Sequence, residues 1–217
     1  MLFGLGKLLR GRPGRTVADA PALAGVLATR SRILAERAIT EYTRMRVGPS
    51  WPRLFAEAAF QEALGCACRS AAPLALVWVV RVARLAPAEI AGAGPVAHQD
   101  AWDRVVASAA ARAARDLAPG AHDEAAGTHG GQAVGQATGR AAGLLEDAFA
   151  RPPAGLSEAV TPCEAACFAL MLPLDRAFTD DDRETIRNTL RLLLAEVHED
   201  FARHLDMGAL IEAGRRA

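Results

Sequence analysis

The chain has 217 residues, with 25 basic and 25 acidic side chains and therefore no formal net charge at neutral pH. Half of the residues are apolar, which excludes a disordered chain, and the length suffices for one domain with a buried core. Alanine occurs 49 times and aromatic residues make up 5%, so an extensive β-sheet is not expected, because alanine favours helices over strands.

Apolar residues at helical spacing predict a first helix from about Asp19 to Val47. Asp19 suits the N-cap position and Pro21 the first turn, and Gly48 followed by Pro49 should end the helix. The predicted core face consists of Leu23, Leu27, Leu34, Ala38 and Met45.

A second helix, capped by Ser50, should follow, until Pro73 breaks or kinks the chain. The segment from Leu74 to Leu85 is apolar on nearly every side, which predicts a central buried helix. Its longest uninterrupted apolar run stops at Arg81, well short of the roughly 20 residues that a membrane span needs. Residues 86–95, with two prolines and two glycines, are predicted to form a loop.

The second half of the chain contains three further long segments with helical patterns. A fourth helix is predicted from Val96 to about Ala118, and a fifth over residues 131–150. Thr161 to Glu164 forms a capping-box pattern for a short helix, and Thr179 before three acids should open the last long one. The predicted fold is all-α: one irregular bundle of six to seven helices over residues 16–217, after a basic, flexible lead at residues 1–15.

Basic residues are concentrated in the first quarter of the chain. Residues 1–53 carry ten bases and three acids, so this region either binds an anionic partner or pairs with the acidic remainder of the fold. Arg30, Arg37 and Arg44 recur every seven residues, which places them along one side of the first helix. The candidate basic binding residues are Arg30, Arg37, Arg44 and Arg46 in the helix, and Lys7, Arg10, Arg12 and Arg15 in the lead.

Glycine recurs every fourth residue from Gly127 to Gly143. On a helix this spacing makes a face without side chains, along which another backbone can approach closely. Each interior glycine costs about 1 kcal/mol relative to alanine, so packing should offset the loss. The interpretations are close packing within the chain, for example against residues 107–114, a flexible loop in which the spacing is a coincidence, and a subunit interface formed by Gly131, Gly135, Gly139 and Gly143.

Cysteine and histidine provide no strong site. Cys163 and Cys167 have a chelating spacing, but Cys66 and Cys68 would point apart on a helix, so buried thiols are expected. His122 and His129 lack a recognised ligand spacing. His204, one turn after Asp200, suggests a histidine hydrogen-bonded at the edge of the core. No catalytic residue, metal ligand or cofactor is predicted.

The pattern favours a non-enzymatic helical binding or assembly protein that associates with a protein partner or with itself. The alternative is a peripheral protein on an anionic membrane surface, using the apolar and basic lead. A second alternative is a helical-bundle enzyme or metal-binding protein. A nucleic-acid partner is not expected, because the first 60 residues lack two short helices joined by a tight turn. The expected location is the cytoplasm, or its membrane surface.

Overall fold

A computed structural model describes residues 16–90, 96–118, 129–150 and 179–216, with side chains described for 16–85, 98–118, 139–150 and 179–216. Nearly all of these residues are helical, which confirms the all-α fold. Outside the helices, the described part of the chain contains one isolated parallel bridge between Val17 and Leu205. The helices are α1 (Ala20–Val47), α2 (Trp51–Leu54), α3 (Ala58–Ile90), α4 (Val96–Leu117), α5 (His129–Ala150), α6 (Asp180–His204) and α7 (Met207–Arg216).

Helix α1 begins and ends where the sequence predicts. Asp19 Oδ1 accepts a hydrogen bond from the Ala22 amide at 2.7 Å, and Gly48 ends the helix with a φ of 63°, a conformation that favours glycine. The predicted core face is buried except for Met45, which is 50% exposed. In the last turn Tyr42 and Thr43 occupy the buried arc instead, so Met45 lies outside it.

Of the two effects expected of Pro73, the break is wrong, because α3, which is 33 residues long, continues through it. A proline inside a helix removes one backbone hydrogen bond, but Ala71, Ala72 and Leu74 beside it are all buried. Burial of the surrounding turns offsets that loss. The predicted loop over residues 86–95 is also partly wrong, since the backbone remains helical to Ile90.

Helix α3 is the centre of the bundle, as its apolar segment predicts. It packs against α1, α4, α5 and α6, and residues 70–84 form a continuous buried stretch. Helix α7 packs on α4, on the outer side of the bundle. The core residues come from six helices, so a single core unites α1 with α3 to α7.

Helix α6 begins with a capping box. The Thr179 hydroxyl accepts a hydrogen bond from the Asp182 amide, and the Asp182 carboxylate accepts one from the Thr179 amide at 2.8 Å. An apolar stripe along this helix is buried: Ile186, Leu190, Leu193, Val197 and Phe201. His204 is not on the edge of the core as expected: it is exposed, whereas His198 is buried.

Several sequence predictions concern residues outside the described part of the chain. They are the lead with Lys7, Arg10, Arg12 and Arg15, the capped helix at Thr161, the cysteines Cys163 and Cys167, and the His122 loop.

Candidate functional site

The arginines of α1 that the sequence singled out face acidic residues of α6. Arg30 Nη2 lies 2.8 Å from Asp200 Oδ2, and Arg37 Nη1 lies 2.5 Å from Glu196 Oε2. Between these two ion pairs, Leu34 and Val197 line a narrow cleft. From Arg30 to Arg37 the chain of α1 runs forward, while the paired acids of α6 run backward from Asp200 to Glu196. The two helices therefore pack antiparallel.

A third ion pair joins the far ends of the same two helices. Arg46 contacts Asp182, and the Arg46 side chain is only 3% exposed. The hydrogen bond from Arg46, followed by that from the Thr179 amide, holds the pKa of the Asp182 carboxyl well below its usual range. One carboxylate therefore both caps α6 and binds α1.

Arg44 is directed differently from the other three arginines. Its Nη1 lies 3.8 Å from Glu41 Oε2 on its own helix, and its guanidinium lies 5.1 Å from the centre of the Trp51 ring. Of the two interpretations of the basic first quarter, pairing within the fold thus describes Arg30, Arg37 and Arg46. Glu41 pairs with Arg44, while Arg37 pairs with Glu196.

The glycine-spaced face of α5 is open where the structure describes it. Gly139 and Gly143 are exposed, and a Cβ atom built at either position would have no described atom within 4 Å beyond the local helix backbone. Gly131 and Gly135 lie in the same helix. Close packing within the chain, which the sequence suggested, is therefore not found at Gly139 or Gly143.

Charged side chains lie on and beside this glycine face. Arg140, Glu146 and Asp147 are exposed, and none of the three forms an ion pair or side-chain hydrogen bond with another described residue. The opposite side of α5, including Ala141 and Ala148, is buried, and α5 packs mainly against α3. Over residues 139–150 the helix is thus packed along one side and bare along the other.

A buried arginine that the sequence analysis did not select joins α5 to the core. Arg84 Nε donates to Asp103 Oδ1 at 2.9 Å and Arg84 Nη2 donates to Asp103 Oδ2 at 2.7 Å. Its Nη1 donates to the Ala148 carbonyl, and its guanidinium lies 5.3 Å from the Phe149 ring centre. An arginine inside an otherwise apolar segment was the available sequence signal, because a buried cation requires a partner.

A second joint, between α4 and α7, was also missed. A Cβ at Gly214 would collide with the Ala101 carbonyl oxygen and lie 2.7 Å from Val105 Cγ2. Arg104 Nε donates to the Gly214 carbonyl at 2.9 Å, and Trp102 Nε1 of the same helix donates to the Ala83 carbonyl at 3.1 Å. Helices α4 and α7 are therefore in backbone contact.

The candidates for chemistry do not converge. Burial raises the pKa of the Cys68 thiol to about 11, which keeps it protonated and a weak nucleophile. Asp200 pairs with Arg30, while His204 Nδ1 lies 3.0 Å from the Asp200 carbonyl oxygen. Within the described ranges no three His, Cys, Asp or Glu side chains are grouped so that they could hold a metal ion.

By length and composition, one stretch of the described chain, Ala58–Leu85 in α3, is long and apolar enough to cross a membrane. In its most apolar window 67% of the residues are buried inside the bundle, as is usual for a core helix. The same helix carries two buried arginines, Arg81 and Arg84. These observations fit a core helix better than a span.

Comparison with known proteins found no family model, no curated protein and no solved structure that matches this chain.

Proposed function

We propose that this chain is a non-enzymatic helical binding or assembly protein, and that the exposed side of α5 is its contact surface. The observation that carries the proposal is the open space at Gly139 and Gly143. Interior glycines cost a helix about 1 kcal/mol each relative to alanine, and no described packing inside the chain offsets that cost. Contacts with a second polypeptide packed against the bare helix backbone would offset it.

The α1 arginines play a smaller part in this proposal than the sequence suggested. Arg30, Arg37 and Arg46 already face carboxylates of α6, so an anionic partner would have to displace those pairs. A cationic surface for a partner would draw on the lead residues Lys7, Arg10, Arg12 and Arg15 and on the half-exposed Arg44.

The test is a leucine substitution on the bare face. Gly139→Leu and Gly143→Leu should preserve the fold, because each side chain enters open space and leucine is a better helix former than glycine. Each should abolish association, measured as oligomeric state by sedimentation and as proteins that copurify from the native host.

Ala111→Leu, which introduces the same side chain at an exposed position of α4, is the control and should change neither readout. If both glycine variants keep the oligomeric state and the copurifying proteins of the unaltered chain, α5 is not the contact surface.

The lead gives a second candidate function. Its 15 residues include Leu2, Phe3, Leu5, Leu8 and Leu9 along with four bases, a composition that suits attachment to anionic lipid. Deleting residues 2–15 should abolish sedimentation with anionic vesicles at low salt. Failure of the full chain to bind such vesicles would exclude this role.

A further inference from the structure

We infer that the partner of the exposed α5 face is a second copy of this chain, bound antiparallel, with Arg140 of each subunit paired with Asp147 of the partner subunit. The inference rests on the proposed function and adds the identity, orientation and register of the partner. It is carried by the placement of two exposed, opposite charges on one flank of the face, and not by the glycine spacing alone.

Arg140 and Asp147 lie on the same flank of the bare face. Seven residues advance a helix by about 700°, which is within about 20° of two full turns. Both side chains are exposed, and neither forms an ion pair with a described residue.

This arrangement is self-complementary in one orientation only. When two identical helices cross antiparallel about a twofold axis, equivalent flanks face each other, and each residue meets the one equally far on the other side of the axis. An axis between Gly143 and Leu144 places Arg140 opposite Asp147 of the partner subunit, twice. In a parallel pair in register the twofold axis instead runs along the helices and places equivalent flanks on opposite sides, so Arg140 and Asp147 of the two subunits would not face each other.

The same axis passes through the bare part of the helix. Gly143 lies beside the crossing point, where the absence of a Cβ lets two backbones approach most closely. Gly139 lies one turn away, also in open space. A contact built on one helix per subunit is small, so dimerisation should depend on concentration and, because the paired charges are exposed, on salt.

A charge swap tests the orientation. Sedimentation of the full chain over a range of concentrations in low salt should show a monomer–dimer equilibrium. Arg140→Asp or Asp147→Arg alone should raise the dimer dissociation constant by about tenfold or more, because each creates two like-charge contacts. The double variant Arg140→Asp/Asp147→Arg should restore the constant to within about threefold.

Arg112→Asp, the same charge change at an exposed position of α4, is the control and should leave the equilibrium unchanged. Circular dichroism and melting of each variant confirm that the fold is intact. A full-length chain that stays monomeric throughout overturns this inference.

The remaining outcomes separate this inference from the proposed function. If dimerisation is lost in Gly143→Leu but is not restored by the double charge swap, α5 remains the contact surface and the antiparallel pairing is wrong. If a dimer forms and neither Gly143→Leu nor the charge variants affect it, both proposals fail.

Discussion

Helices α5 and α7 are joined to the bundle in a similar way, but their glycines lie in opposite surroundings, enclosed on α7 and open on α5. Each receives an arginine from a neighbouring helix on a carbonyl near its C-terminal end: Arg84 binds the Ala148 carbonyl and Arg104 binds the Gly214 carbonyl. On α7, Gly214 lies inside the joint, against the α4 backbone. On α5, Gly139 and Gly143 lie on the side that no described residue covers.

The comparison shows that glycine spacing alone does not locate a helix contact. The run of glycines on α5 has no described neighbour at Gly139 and Gly143, while Gly214 of α7 marks a backbone contact. A glycine permits close approach but supplies no attraction of its own. The contact forms where surrounding apolar residues are buried together, as Leu210 and Val105 are at the α7 joint.

The largest change in stability should come from disrupting the ion pair that joins α5 to the bundle. Asp103→Ala would leave the Arg84 guanidinium, 3% exposed, without its carboxylate. We expect the free energy of unfolding to fall by about 2 to 3 kcal/mol, measured by urea denaturation. Arg84→Met/Asp103→Leu should recover much of the loss, because it removes both charges. Equal stability of Asp103→Ala and the unaltered chain would show that the pair does not secure α5.

Gly214→Ala should have the next largest effect. The added methyl group would collide with the Ala101 carbonyl and crowd Val105, so α7 must shift away from α4. Overpacking of this kind costs typically about 1 to 3 kcal/mol, more than the gain in helix propensity returns. Thermal unfolding measures this loss of stability. A melting temperature at or above that of the unaltered chain would show that α4 and α7 are not in close contact at Gly214.

Gly139→Ala and Gly143→Ala should instead increase the stability of the protein. Both positions are open, and replacing an interior glycine by alanine stabilises an exposed helix by about 1 kcal/mol. The melting temperature of the monomer should therefore rise. A loss of stability in either variant, measured at a concentration below that of any association, would mean that the α5 face is covered within the chain.

Arg104→Met should have the smallest effect. It removes the hydrogen bond to the Gly214 carbonyl and retains most of the apolar part of the side chain. A loss of about 1 kcal/mol is expected, with faster amide exchange at the end of α7 than at the end of α5. Equal acceleration at both ends would show that the two joints are not independent.

Pattern and local chemistry identified most of the elements. The Asp19 cap, the Gly48 stop and the Thr179 cap are made by side chains within a few residues of the backbone they bind, so sequence alone reveals them. Pro73 shows the limit of such reasoning. Its local signal is a helix break, yet burial of the turns around it overrides that signal.

The candidate site could be predicted less completely. The glycine spacing drew attention to α5, but its exposure follows from how α5 packs on α3. The pairing of Arg30 with Asp200, 170 positions later in the chain, and of Arg84 with Asp103 depends on which helices become neighbours. Spacing within one segment carries no information about such contacts.

By itself the sequence determined the helical class, the capped ends and the apolar faces, because these depend on interactions between residues close together in the chain. Tertiary structure decided that three α1 arginines face the acids of α6, that Gly214 is enclosed and that Gly139 and Gly143 are open. Those outcomes depend on which helix faces are buried against each other, and burial depends on the whole chain.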